Sequence, residues 1–88
     1  MPLYRKKPTV VEAVRYTNSA DVHEFCGDKV REPVGADYLE IIVVDGVLRA
    51  EKGDYIVKGL TGEFFPCRPD IFEKVYEEVI VDDRERNE

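Results

Sequence analysis

The residues best suited to chemistry are two cysteines and a single histidine. Cys26 and Cys67 lie far apart and form no C-x-x-C pair, so the sequence predicts neither a metal site nor a thioredoxin-like dithiol. His23 is the only histidine that could serve a cysteine nucleophile as base, and no spacing brings it to either thiol. We expect both cysteines to be packing residues, although Arg68 beside Cys67 could favour its thiolate. The sequence therefore predicts a protein that is not an enzyme and needs no cofactor.

A second group of residues could form a binding surface at one rim of a sheet. Gly53, Gly59 and Gly62 fall in turns and lack the order of a phosphate-binding loop. Such turns can present acids and aromatic rings together, and mixed charge beside aromatic surface is typical of binding sites. The residues of this rim are Asp54, Tyr55, Lys58, Glu63, Phe65, Cys67, Arg68 and Asp70.

Each rim residue also has a structural interpretation, which we prefer when the residues are taken singly. Asp54 and Asp70 would cap turns, Arg68 would pair with one of them, and Tyr55 and Phe65 would pack in the core. The two interpretations differ in whether these side chains are free to meet a partner.

The N-terminus carries the main basic run, Arg5, Lys6 and Lys7. A short charge run usually faces water, so a solvated leader to the first strand is the preferred interpretation. Alternatively, Tyr4, Arg5 and Lys6 line a cationic edge for an anionic ligand, with Arg68 on the other side of a pocket at a dimer interface.

Length and composition limit the chain to one small domain. It has 88 residues, 43% of them hydrophobic and 36% charged, and a formal net charge of −6. An acidic body repels phosphate backbones, so general nucleic-acid binding is not expected. No apolar run reaches the roughly 20 residues of a membrane span, and the start has no secretory signal, so we expect a cytoplasmic protein. We expect the domain to cover residues 1–81 and residues 82–88 to be a disordered acidic tail.

Hydrophobic patterns predict the first half of the fold. Thr9–Tyr16 is rich in β-branched residues and predicts a strand, and a short helix should begin after Asn18 or Ser19 and end at Gly27. The strongest local signal is a hairpin in which Asp45-Gly46 forms a two-residue type I′ turn between two apolar runs. The runs are Tyr38–Val44 and Val47–Glu51.

The second half predicts two further strands and a helix. The strands are Tyr55–Lys58 and 63–65, after which Pro66 and Pro69 should stop ladder pairing. Apolar residues after Pro69 suit a short helix, and Val79–Val81 could pair at a sheet edge. The sum is an α+β, mostly β, domain: a small antiparallel meander sheet of four to six strands with one or two short helices.

Both ends of the domain carry motifs that resemble a group of small, uncharacterised proteins common in phages and prophages. The shared pattern is R-K-K-P, V-E-A, G-D-Y-I, G-E-F-x-P-C and P-D-I-F-E, carried here by residues 5–13 and 53–73. The chain is more distantly similar to the PGDYG family, because residues 52–56, K-G-D-Y-I, lack the Pro and the second Gly of that motif. The resemblance implies a phage or prophage origin and action in the cytosol of a host cell.

These observations lead to two hypotheses about function. The first is a small non-catalytic binding protein of phage or prophage origin, which acts on a host protein or sequesters a small ligand, whether anionic or not. The alternative is a structural or assembly accessory that forms a symmetric oligomer through an exposed strand edge. We expect a homodimer in either case, because so small a domain gains stability by burying further apolar area. The candidate binding residues are Arg5, Lys6, Asp54, Tyr55, Glu63, Cys67, Arg68 and Asp70.

Overall fold

The computed structural model describes residues 1–5 and 9–79, and within them it has six strands and two α-helices. A short 3-10 helix, Gly27–Lys29, follows the first α-helix. The predicted α+β, mostly β, fold is confirmed. In chain order the elements are β1 Glu12–Arg15, α1 Ser19–Cys26, β2 Val30–Arg31, β3 Tyr38–Val43, β4 Gly46–Glu51, β5 Tyr55–Lys58, β6 Phe64–Cys67 and α2 Pro69–Val75.

The strands form two antiparallel sheets of three rather than one continuous meander. The first sheet has the order β1-β5-β6 and the second the order β2-β3-β4. The chain changes sheet at the turn between β4 and β5, where the Asp54 N–H donates to the Glu51 carbonyl at 3.0 Å. Beyond that turn, the Tyr16 N–H donates to the Asp54 carbonyl at 2.8 Å. β5 therefore pairs with β1, which is distant in sequence, instead of with its neighbour β4.

The first helix matches its predicted boundaries because both ends are capped. The Asn18 side chain accepts a hydrogen bond from the Asp21 N–H at 2.9 Å. At the other end, Gly27 has φ 63°, a left-handed conformation that ends a helix at little cost only in glycine. Val22 and Cys26 are the buried residues of this helix.

The β3–β4 hairpin forms as predicted, but its turn lies one residue earlier. Val43 pairs with Gly46, so Val44 and Asp45 are the turn residues and Gly46 begins β4. A type I′ turn at Asp45-Gly46 would need a positive φ at Asp45, and no described non-glycine residue has one. The predicted turn type is therefore wrong, although the hairpin is correct.

Pro66 does not stop ladder pairing, contrary to the sequence prediction, but lies inside β6 opposite Ile56. The Gly59 N–H donates to the Glu63 carbonyl at 2.7 Å, which marks 59–63 as a hydrogen-bonded pair. By alternation, the pair of Ile56 and Pro66 is not hydrogen-bonded, so the missing N–H of proline faces the open edge. The strand loses no bond there.

The core lies between the two sheets and α1. Its fully buried side chains include Val22 of α1, Leu39 and Ile41 of β3, and Ile56 of β5. Val57 is equally buried but points to the opposite face of the first sheet, because neighbouring strand residues alternate. Neither described helix has the length and apolar character needed to cross a bilayer.

Four predictions concern residues toward the two ends of the chain. β1 is shorter than the predicted strand, since residues 9–11 and Tyr16 belong to no strand. Val79 is exposed and belongs to no strand, and the rest of the predicted edge strand lies outside the described residues. The predicted disordered tail, 82–88, and the candidate Lys6 also lie outside them.

Candidate functional site

The predicted rim is divided between the two ends of the first sheet. In the register of the first sheet, Tyr55 lies opposite Cys67 and Arg15 at one end. Lys58 lies opposite Phe64 and Glu12 at the other end. The two ends of β5 are three residue steps apart, about 10 Å. Asp54, Tyr55, Cys67, Arg68 and Asp70 thus share one end, and Lys58 and Glu63 share the other. The expectation of a single rim is wrong because β5 and β6 form a hairpin that spans the sheet.

Asp54 is buried and acts in the fold as a turn cap. Its Oδ2 accepts a hydrogen bond from the Glu51 N–H at 2.9 Å, and its own N–H donates to the Glu51 carbonyl. Gly53 precedes it with φ 97°, a conformation that other residues rarely adopt. The structural interpretation of Asp54 is therefore supported.

Tyr55 anchors a stacked cluster, which we define as Arg15, Tyr55, Phe72 and Tyr76. The Tyr55 and Phe72 rings have centroids 3.9 Å apart, and those of Phe72 and Tyr76 are 4.8 Å apart. The Arg15 guanidinium carbon lies 5.4 Å from the centre of the Tyr55 ring, and Arg15 Nε donates to the Gly53 carbonyl at 3.1 Å. The cluster joins β1, β5 and α2 and leaves Tyr55 half-buried.

Cys67 lies beside this cluster as a half-buried free thiol. Its pKa is raised by partial burial and by the negative charges of Asp54 and Asp70. Arg68 pairs instead with Asp70, Nε to Oδ1 at 3.5 Å, and both side chains are exposed. The expectation that Arg68 favours the Cys67 thiolate is therefore wrong, because burial first, and then the charges of Asp54 and Asp70, disfavour the thiolate.

Glu63, at the far end, is engaged by its own turn. The Thr61 hydroxyl donates to its carboxylate, and this hydrogen bond is the first cause that lowers the pKa of Glu63. Arg5, the remaining described candidate, is exposed before β1. Among the described residues, no contact joins Arg5 to Arg68, and none joins Glu63 to Asp54.

The described partner of His23 is a carboxylate. Its Nε2 lies 3.2 Å from Glu32 Oε2, and both side chains are partly exposed. Burial raises the pKa of Cys26, on the same helix, to about 11. Within residues 1–5 and 9–79, no group of His, Cys, Asp and Glu is arranged to hold a metal ion.

A concave surface occurs elsewhere, between β1 and α1, and we call it the acidic groove. It is a shallow, open depression of about 510 Å³ beside the edge of the first sheet. Glu12 and Val14 lie on one wall, and Glu24 and Phe25 lie on the other. Its complete lining is Glu12, Ala13, Val14, Asp21, Glu24 and Phe25.

Neither this groove nor the contacts of Arg15 with Tyr55 and Gly53 were predicted from the sequence. The helix and the strand were each predicted, but their packing depends on contacts between α1 and the sheet that no local pattern reports. Phe25 makes one of these contacts, an edge-to-face contact with Phe64 at 5.3 Å between centroids. The stack of Phe72 and Tyr76 had a signal, since residues four apart share a helix face.

Fold and surface together define a small α+β domain with an open groove at a strand edge. No known protein family, curated protein or solved structure matches the chain.

Proposed function

We propose that this chain is a non-catalytic binding domain of phage or prophage origin that binds a partner protein in the cytosol of a host cell. The observation that carries the proposal is the acidic groove, where a strand edge and a helix leave an open depression with a volume of about 510 Å³. Grooves between secondary-structure elements are common sites of protein recognition.

The state of the chemically capable residues favours binding over catalysis. Asp54 accepts a backbone hydrogen bond within its own turn. The raised pKa of Cys67 keeps its thiol protonated at neutral pH, and a protonated thiol is a poor nucleophile. These groups serve the fold, so an activity would need other residues.

A protein partner is also favoured over a small anionic ligand. The groove holds three carboxylates, Glu12, Asp21 and Glu24, which would repel an anion. Arg68, the cation first considered for such a ligand, is already paired with Asp70.

The proposal is tested by affinity capture from a bacterial lysate with three forms of the tagged protein. The groove variant, Glu12→Gln with Glu24→Lys, changes the charge by +3. The matched control, Glu78→Gln with Asp45→Lys, makes the same change at exposed sites outside the groove. Circular dichroism and thermal unfolding verify that all three are folded.

We expect one host protein to be retained near equimolar amount by the wild type and the control but lost from the groove variant. That protein, identified by mass spectrometry and purified, should bind in the same order. Equal retention by all three forms, or no retained protein, would contradict the proposal.

A second candidate function is a symmetric assembly accessory, favoured by the exposed apolar face of α2. Ile71 and Val75, one helical turn apart, are 49% and 56% exposed. A second copy could cover this face. Sedimentation equilibrium should then show a dimer that Ile71→Lys with Val75→Lys converts to a monomer, and a monomeric wild type at micromolar concentration would exclude this candidate.

A further inference from the structure

We infer, on the basis of the proposed function, that the acidic groove binds an extended segment of a partner protein that carries Lys or Arg at alternate positions and adds to β1 as a fourth strand of the first sheet. Three features of the groove support this assignment: the open backbone edge of β1, the opposite wall formed by α1, and the negative charge of the groove.

The backbone of β1 has an open hydrogen-bonding edge. In the order β1-β5-β6, β1 is terminal, and within residues 1–5 and 9–79 no strand lies on its other side. The Tyr16 N–H donates to the Asp54 carbonyl, so the backbone groups of Val14 and Glu12 also face β5 by alternation. The N–H and C=O of Ala13 and the N–H of Arg15 therefore point outward, where an added strand would meet them.

The opposite wall makes this edge a groove rather than a flat side. Phe25 is fixed over the sheet by its contact with Phe64, and Asp21 and Glu24 stand on the same helix. Extended peptides bind by adding a strand to an exposed sheet edge, and here the helix gives that edge a second wall for the peptide's side chains. β1 has four residues, so about four residues of a partner would pair with it.

The charge of the groove selects the partner. Glu12 and Glu24 are exposed and form no ion pair with any described residue, while Asp21 accepts from the Asn18 amide at 3.0 Å. The six lining residues include no Lys or Arg. Complementary charge accelerates association and disfavours acidic competitors, so basic segments are selected.

Strand geometry further restricts where the basic residues lie. Side chains of an added strand alternate between the two faces. Those on the face of Glu12 and Val14 would meet the carboxylates and Phe25, and those on the other face would lie beside Arg15. Lys or Arg at every second position, with uncharged residues between them, therefore fits the groove, whereas a continuous basic run would place cations against Arg15.

The test uses a blocked hexapeptide of sequence Lys-Thr-Lys-Thr-Lys-Thr, titrated into the 15N-labelled full chain and followed by amide shifts. Its controls are the mirror-image peptide of D-residues, which keeps the charge but not the strand handedness, and the peptide with Glu in place of Lys. We expect the L-peptide to shift the amides of Ala13, Arg15 and Phe25 and to protect the first two from hydrogen exchange.

The D-peptide and the Glu peptide should bind at least about tenfold more weakly than the L-peptide, and the groove variant should lose about tenfold in affinity for the L-peptide, while the matched control variant should not. Affinity of the wild type should fall as salt is raised.

Three outcomes would overturn the inference. They are equal binding of the L- and D-peptides, shifts that leave β1 unaffected at millimolar peptide, and concentration-dependent shifts of β1 without peptide, which would assign the groove to a second copy. The proposed function would survive any of these if the captured partner still required Glu12 and Glu24. Loss of that groove-dependent partner is the separate failure of the proposed function.

Discussion

The rings of Tyr55 and Phe72 lie nearly parallel, with an interplanar angle of 9° and centroids 3.9 Å apart. Tyr55 belongs to β5 and Phe72 to α2, so the stack joins the last described helix to the central strand of the first sheet. The Tyr55 hydroxyl also donates to Glu73 Oε2 on that helix, at 3.3 Å. Docking of α2 therefore depends on an aromatic contact while Ile71 and Val75 remain exposed.

We predict that Phe72→Ala lowers the free energy of unfolding by about 1–3 kcal/mol. The loss is below that of a fully buried phenylalanine because Phe72 is only half-buried. The matched control, Ile71→Ala on the exposed side of α2, should change stability by less than about 0.5 kcal/mol. The chain has no tryptophan, so urea unfolding is followed by far-ultraviolet circular dichroism and tyrosine fluorescence. Equal effects of the two substitutions would mean that the stack does not hold α2.

Asp54→Ala should destabilise the domain by about 1–3 kcal/mol, because it leaves the N–H of Glu51 without its acceptor at the turn between the sheets. Asp54→Asn keeps a side-chain oxygen and should cost less than about 1 kcal/mol. Thermal unfolding of both variants measures the difference. If Asn costs as much as Ala, the charge of Asp54, and not its hydrogen bond, is what the turn requires.

Thr61→Val should raise the pKa of Glu63 toward its ordinary value. The Thr61 hydroxyl is the first cause of the lowered pKa in the folded protein. A lowered pKa means that the carboxylate stabilises the fold above the pKa of the unfolded chain, and that this stabilisation is lost as pH falls through the folded value. A carbon-detected NMR titration reads the pKa directly. Thr17→Val serves as the control and should leave it unchanged.

Both thiols should react slowly with iodoacetamide at pH 7, because their pKa values are raised. With a pKa of about 11, only about one Cys26 in ten thousand is a thiolate at that pH. Cys67 is more exposed and should be modified first, at rates that rise with pH. Asp70→Asn should lower the pKa of Cys67 and accelerate its reaction, whereas Asp45→Asn should not.

Mass spectrometry of the alkylated protein gives both rates. Rapid reaction of Cys67 at pH 7 that slows in Arg68→Ala would contradict the prediction. It would mean that Arg68 activates the thiol, and it would favour a catalytic function.

Elements whose stability depends on neighbours in sequence were predicted well. The Asn18 cap, the glycine stop at Gly27 and the helix that begins at Pro69 involve residues within a few positions of one another. The β3–β4 hairpin was predicted for the same reason, although its turn lies one residue earlier. The structural interpretation of the pair Arg68 and Asp70 also needed only local information.

The sequence by itself determined the α+β class, the two helices and the hairpin, because periodicity and capping act over a few residues. Tertiary structure alone decided that β5 pairs with β1, an arrangement in which Arg15 and Gly53 make contact across 38 positions. The β5–β6 hairpin places Glu63 and Asp54 at opposite ends of a sheet, and the position of β1 beside β5 leaves the groove between β1 and α1. The partner of a strand is set by the packing of the whole core, and no single segment encodes it.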